Sequence, residues 1–175
     1  SPLNPLSVYA RTKQAAEGDV LRLGGISLRF ATLFGASPRM RMDLLVNDFV
    51  YRAITDGYVG LYEPNAKRNY LHVRDAADAI IYAITNYEDM AGKAFNVGRS
   101  DSNLSKAELV ERINEHIPFR WFEIPGADPD QRNYVVSNER IERAGWSARY
   151  SLDDGIRELI KAYTILRPRE GLTNA

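Results

Sequence analysis

Residues 7–35 read SVYARTKQAAEGDVLRLGGISLRFATLFG, and this stretch decides the fold. Residues 7–23 follow a helical pattern, with Ser7 placed to cap the start and Gly24-Gly25 to end it. Residues 26–34, ISLRFATLF, are rich in apolar and β-branched side chains and lie between Gly25 and Gly35. That composition predicts a buried strand. A helix reversing into a buried strand fits the end of a parallel, doubly wound sheet.

Working outward, residues 42–54 carry Leu44, Leu45, Phe49, Val50 and Ala53 at helical spacing. Residues 58–62 and 69–73 are short strand candidates around a polar turn at 63–68. Residues 75–87 form a helix with Ala76, Ala79, Ile80, Ala83 and Ile84 on one face, and residues 94–97 another short strand. Ser105-Lys-Ala-Glu108 is a capping box: the hydroxyl accepts the N3 amide while the carboxylate reaches back. It opens a helix to about residue 115, before Pro118. Residues 120–124 alternate like a strand, 138–144 make a short helix, and Ser151 caps a last helix over 152–166. Strands interleaved with helices predict an α/β chain, with the later elements forming a smaller α+β lobe.

Composition removes several classes of function. Lys plus Arg and Asp plus Glu both number 23, so no net field draws nucleic acid or an anionic membrane. Cysteine is absent, which excludes disulfides, thiolate metal sites and cysteine nucleophiles. His72 and His116 have no metal-ligand spacing, so no metal is expected. No apolar run approaches the ~18 residues of a membrane helix, and a cytoplasmic setting is the expectation. Neither GxGxxG nor GxxGxxG occurs, and residue 1 is Ser rather than Met. The chain is therefore expected to begin inside a longer one, after its phosphate-cradling turn.

The chemistry-bearing motif is Tyr9-Ala-Arg-Thr-Lys13. Residues four apart share a helix face, and an ammonium one turn from a phenol stabilises the phenolate that a general base requires. An ordinary exposed helix pair has the same spacing, so the surroundings matter. Pro5-Leu-Ser-Val-Tyr9 precedes the pair and Glu17 follows it by another turn. Leu28-Arg29-Phe30 leads to Phe34-Gly35. Further on come Arg68-Asn69-Tyr70-Leu71-His72-Val73-Arg74-Asp75, Phe95-Asn96-Val97-Gly98, Leu104-Ser105-Lys106, Arg132-Asn-Tyr134, and Trp146 through Leu152-Asp-Asp-Gly155-Ile156. In this order and spacing the chain resembles the extended short-chain dehydrogenases, and within them the sugar-nucleotide epimerases and dehydratases.

The resemblance implies the C-terminal part of a Rossmann-like sheet at residues 1–57, mainly a substrate-binding lobe at 58–166, and a tail at 167–175. It implies NAD as cofactor, with NADP also possible, a nucleoside-diphosphate sugar as substrate, and a homodimer when complete. Tyr9 would be the base exchanging a proton with the sugar hydroxyl. Lys13 would hold the nicotinamide ribose and stabilise the phenolate, and Phe30 would contact the nicotinamide end. Arg68 would clamp the diphosphate, with Arg132 a second phosphate ligand and Tyr134 a ligand contact. Tyr62 would pack against the nucleotide base. Thr32 stands where many relatives carry the Asn of F-N-x-x-G, and the Ser or Thr of the family's catalytic set would lie before residue 1.

Other residues are expected to be structural: His72, Asp75 as a helix N-cap, Asp153 and Asp154 in a helix first turn, and Phe119, Trp121 and Phe122 as lobe core. Two alternatives share the motifs: an NADPH-dependent ketosugar reductase of the same fold, and a non-catalytic nucleotide-sugar binding or interaction protein.

Overall fold

The computed structural model describes residues 7–127 and 133–166. It is an α/β structure in which parallel strand pairs alternate with helices. Helix α1 (Val8–Arg22) leads into β1 (Ser27–Phe30) and β2 (Thr32–Phe34). The following elements are α2 (Leu45–Thr55), β3 (Tyr58–Leu61), β4 (Lys67–His72), α3 (Val73–Thr85) and α4 (Tyr87–Met90). The chain continues through β5 (Ala94–Val97), β6 (Asn103–Ser105), α5 (Lys106–Asn114), β7 (Arg120–Glu123), α6 (Glu139–Arg143) and α7 (Leu152–Leu166).

The decisive stretch departs from expectation in one respect. Residues 26–34 do not form a single strand: β1 pairs in parallel with β5, and β2 pairs in parallel with β4. The change of partner falls at Ala31, whose N–H donates to the Val97 carbonyl at the end of β5 (2.9 Å), after which Thr32 lies opposite Tyr70. Nor is the run buried throughout; Phe34 is, whereas Phe30 is 37% exposed. β4 extends the second group antiparallel to β6, and β3 pairs with β7 in a third.

Two apolar clusters hold these layers. One gathers Leu71, Ala79, Phe95, Val97, Ile141 and Trp146 around the inner face of α3. The other packs α2, α5 and α7 over β3 and Tyr70, with Val46, Phe49, Val50, Leu109, Ile156 and Leu159 at its centre. Each fully buried side chain of this size contributes about 1.5–3 kcal/mol. By contrast α1 buries no residue, and it is tied to β1 by polar contacts from Glu17.

The helix starts explain most of the local structure. The Ser105–Glu108 capping box forms as read, and Ser151 caps α7 with Asp154 reciprocating. Asp75 is not an N-cap. α3 starts two residues earlier, His72 caps it by accepting the Arg74 N–H at Nδ1, and the Asp75 carboxylate accepts the backbone N–H groups of Arg149 and Tyr150 (both 3.0 Å). His72 is buried, with Nε2 2.8 Å from Glu158 Oε2; since Nδ1 is an acceptor, Nε2 carries the proton. In the aromatic trio, Phe119 and Trp121 pack against the core, but Phe122 is half exposed and stacks on Tyr58 outside it. β6 and α4 are elements that the sequence reading lacked.

Candidate active site

The site begins at the first helix turn. Ser7 is extended (φ −117°, ψ 162°), and its Oγ accepts the Ala10 N–H at 3.1 Å. That cap fixes the phase of α1, so Tyr9, Lys13 and Glu17 follow one another along one face. Lys13 Nζ sits 5.6 Å from the centroid of the Tyr9 ring. Tyr9 is 71% exposed, and Lys13 has no hydrogen-bond partner among the described residues.

Glu17 anchors this face to the sheet. Its Oε2 accepts from Ser27 Oγ (2.6 Å) and Arg29 Nε (2.7 Å), and Arg29 Nη2 reaches Oε1. The Arg29 hydrogen bond, opposed by burial and helped by Ser27, holds the Glu17 carboxyl below the ordinary glutamate range. At a rise of about 1.5 Å per residue, Tyr9 lies ~12 Å along the helix from Glu17. The chain reverses at residues 23–26, so this displacement runs toward the carboxyl end of β1. Phe30 closes β1 there, and Thr32 opens β2 beside Tyr70. In open α/β sheets, ligands bind at the carboxyl ends of the strands.

A second group forms around β4. Arg68 is 1% exposed, and its guanidinium carbon lies 5.8 Å from the Tyr134 ring centroid. The segment carrying Tyr134 is held along the start of β4: Asn133 Oδ1 accepts the Lys67 N–H (3.0 Å), and the Tyr134 N–H donates to the Lys67 carbonyl (3.2 Å). Tyr62 follows β3; its carbonyl accepts Lys106 Nζ (2.7 Å) and its ring lies over Gly126. Arg132 lies outside the described residues. The fold thus brings Tyr9 to Lys13 and Arg68 to Tyr134, while Thr32 stands across from Tyr70, two residues beyond Arg68.

Two glycines show how tightly the strand ends are built. A Cβ on Gly98, the residue after β5, would lie 2.0 Å from Asn69 Oδ1 and 2.9 Å from Asn138 Oδ1. Asn69 uses its amide to clamp Arg99, accepting its N–H (3.1 Å) and donating to its carbonyl (2.7 Å). Gly35 has φ +112°, and a Cβ there would lie 2.6 Å from His72 Nε2. Its N–H donates to Asn47 Oδ1 (3.0 Å). Asn47 and Asn138 had no functional signal in the sequence, because isolated polar residues at interior positions have no spacing to betray them, and Tyr70 stood there only as part of the motif at 68–75. Among the described residues, the Tyr70 hydroxyl and both amide atoms of Asn138 are buried without a hydrogen-bond partner.

A cleft of about 820 Å³ opens between α3 and α7, lined by Arg74, Arg149, Tyr150 and Lys161 among others. None of the described residues among the predicted site residues lines it. Among the described residues, no group of three His, Asp or Glu side chains is placed to hold a metal, and no helix is long and apolar enough to cross a membrane.

The fold and the Tyr/Lys helix together define an α/β protein in which Glu17 ties strand β1 to a helix carrying a phenol and an ammonium one turn apart. Residues 1–98 match the NAD dependent epimerase/dehydratase family, and the chain belongs to that family. A CDP-paratose 2-epimerase of Salmonella typhi is 31% identical over 96 residues, covering 53% of this chain and 28% of that protein. A trifunctional UDP-glucose 4,6-dehydratase/UDP-4-keto-6-deoxy-D-glucose 3,5-epimerase/UDP-4-keto-L-rhamnose-reductase of Arabidopsis thaliana is 21% identical over 175 residues. That match covers 94% of this chain and 25% of that protein. The fold superimposes on a dTDP-glucose 4,6-dehydratase from Bacillus anthracis in complex with NAD, with a TM-score of 0.83 at 23% identity. It covers 98% of this chain and 57% of that one. The chain therefore spans little more than half of the solved dehydratase and about a quarter of the matched curated relatives.

Proposed function

We propose that the complete protein is an NAD-dependent epimerase or dehydratase of a nucleoside-diphosphate sugar, and that this chain supplies its acid/base pair and much of its substrate lobe. The observation carrying this reading is the Tyr9–Lys13 pair, with Nζ 5.6 Å from the ring centroid, on a helix that Glu17 fastens to β1. Family membership and the nucleotide-sugar names of the relatives support it.

The residues present fit the nicotinamide end of such a cofactor. Lys13 offers an ammonium with no acceptor of its own among the described residues, and the half-exposed Phe30 offers an apolar face at the end of β1. NAD+, when bound, supplies a hydride acceptor that later returns the hydride. Tyr9 would take the proton from the sugar hydroxyl as its carbon is oxidised, then return it. Lys13 would stabilise the phenolate that exists before the proton is taken and after it is returned. Arg68, with Arg132, would hold the diphosphate, a task suited to a planar guanidinium, and Tyr134 would contact the ligand. Thr32 and Tyr62 would line the sugar and base ends.

A second reading, an NADPH-dependent ketosugar reductase on the same residues, is favoured by the reductase activity in the name of the trifunctional relative. One experiment separates the readings. The complete protein is mixed with CDP-, UDP-, GDP- and dTDP-sugars, and products are identified by mass and NMR. An isomerised or dehydrated sugar without net consumption of nicotinamide supports the first reading. Stoichiometric oxidation of NADPH supports the second. No turnover of any nucleotide sugar would contradict both.

A further inference from the structure

Among the described residues, the Tyr70 hydroxyl has no hydrogen-bond partner. Tyr70 lies mid-strand in β4 and is 0% exposed. A phenylalanine would fill the same space in the core without burying a bare polar atom, and leaving a buried hydroxyl unpaired is costly. Its surroundings suggest what it awaits. Arg68 and Tyr70 are two residues apart on one strand and so project from the same face. Among the described residues, the Arg68 guanidinium and the Tyr134 phenol act electrostatically on the hydroxyl. The Tyr134 ring lies over the Arg68 guanidinium. On the other side of the strand pair, Tyr70 is matched with Thr32.

We infer that the Tyr70 hydroxyl is a ligand-binding group: it donates a hydrogen bond to a phosphate oxygen of a bound nucleoside diphosphate, beside Arg68, once the Tyr134 ring turns aside. The inference rests on the proposed nucleotide-sugar function and adds to it a floor residue and a moving cover. In the free protein the hydroxyl is stranded and Tyr134 shields the guanidinium. In the complex both polar groups share one anion. The segment bearing Tyr134 is held to β4 by backbone and Asn133 contacts, so the side chain can move while its backbone stays in place.

The test is Tyr70→Phe in the complete protein, read by thermal melting without ligand and by calorimetric titration with UDP, GDP, CDP and dTDP. The expected result has two parts. The ligand-free variant melts at or above the wild-type temperature, because an unpaired hydroxyl has been removed. Its affinity for the preferred nucleoside diphosphate falls about tenfold or more, as for a lost hydrogen bond to a charged group. Wild-type affinity in the variant would overturn the inference and leave the proposed function standing. A lower melting temperature in the ligand-free variant would also overturn it, by showing that the hydroxyl is already partnered. If the wild-type protein binds none of the four nucleotides, the inference and the proposed function fall together.

Discussion

Glu17 and Arg29 meet in a two-point fork: Arg29 Nε donates to Oε2 at 2.7 Å while Nη2 reaches Oε1. The fork is the main tie between α1, which buries nothing, and the sheet. It also sets the rotation of the helix, because Lys13 and Tyr9 lie on the same face one and two turns earlier.

The fork predicts an acid-dependent stability. Glu17 titrates below the ordinary glutamate value, with the Arg29 hydrogen bond the largest cause. A folded-state value below the unfolded one means the contribution is fully present above the unfolded value and is lost as pH falls through the folded one. Because Arg29 is partly exposed, the effect is about 1 kcal/mol or less. Melting curves from neutral pH to about pH 3 should therefore fall less steeply for Glu17→Gln than for wild type. Parallel curves would show that the fork adds nothing.

Asp75 satisfies the N–H groups of Arg149 and Tyr150 from a position that is 1% exposed. Asp75→Ala would strand both donors and should cost at least ~2 kcal/mol in urea unfolding. A loss below about 0.5 kcal/mol, the usual effect of a surface substitution, would contradict this role.

Gly98→Ala should be destabilising by about 1–3 kcal/mol, because the new methyl group has to displace the Asn69 amide that clamps Arg99. Equilibrium denaturation decides it. An unchanged midpoint would mean the strand end is looser than its geometry.

Ser105→Ala removes one half of the capping box at α5 and should cost about 1 kcal/mol by the same measurement. The Glu108 carboxyl is held below its ordinary range first by the Ser105 backbone N–H, which the variant keeps, and next by the Ser105 hydroxyl, whose loss should move it part of the way upward. Carboxyl chemical shifts followed against pH would detect the change.

These residues differ in how readable they were. The box at Ser105 is local: four consecutive residues contain both halves, and it forms as the pattern predicts. The Tyr9–Lys13 face is equally local, since a helix of any context brings the two together. Asp75 was misread because Asp is a good N-cap, while its actual partners lie more than seventy residues later and leave no periodic trace. Residues 26–34 look like one strand because apolar composition does not reveal a change of neighbour at Ala31. Tyr70 stands in the sequence only as part of the motif at 68–75, and the lack of a hydrogen-bond partner for its oxygen, among the described residues, is what distinguishes it. Contacts between distant segments carry the second half of the site, and a single sequence does not encode them in spacing.

The most direct test of the central claim is single-turnover hydride transfer in the complete protein, comparing wild type with Tyr9→Phe. NAD+ and the preferred nucleotide sugar are mixed, and the reduced-nicotinamide absorbance is followed in the absence of further turnover. The account predicts that the variant binds NAD+ nearly as well as wild type while the transfer rate falls by at least ~10²-fold, the range for a lost general base. Transfer at the wild-type rate without the Tyr9 hydroxyl would contradict it.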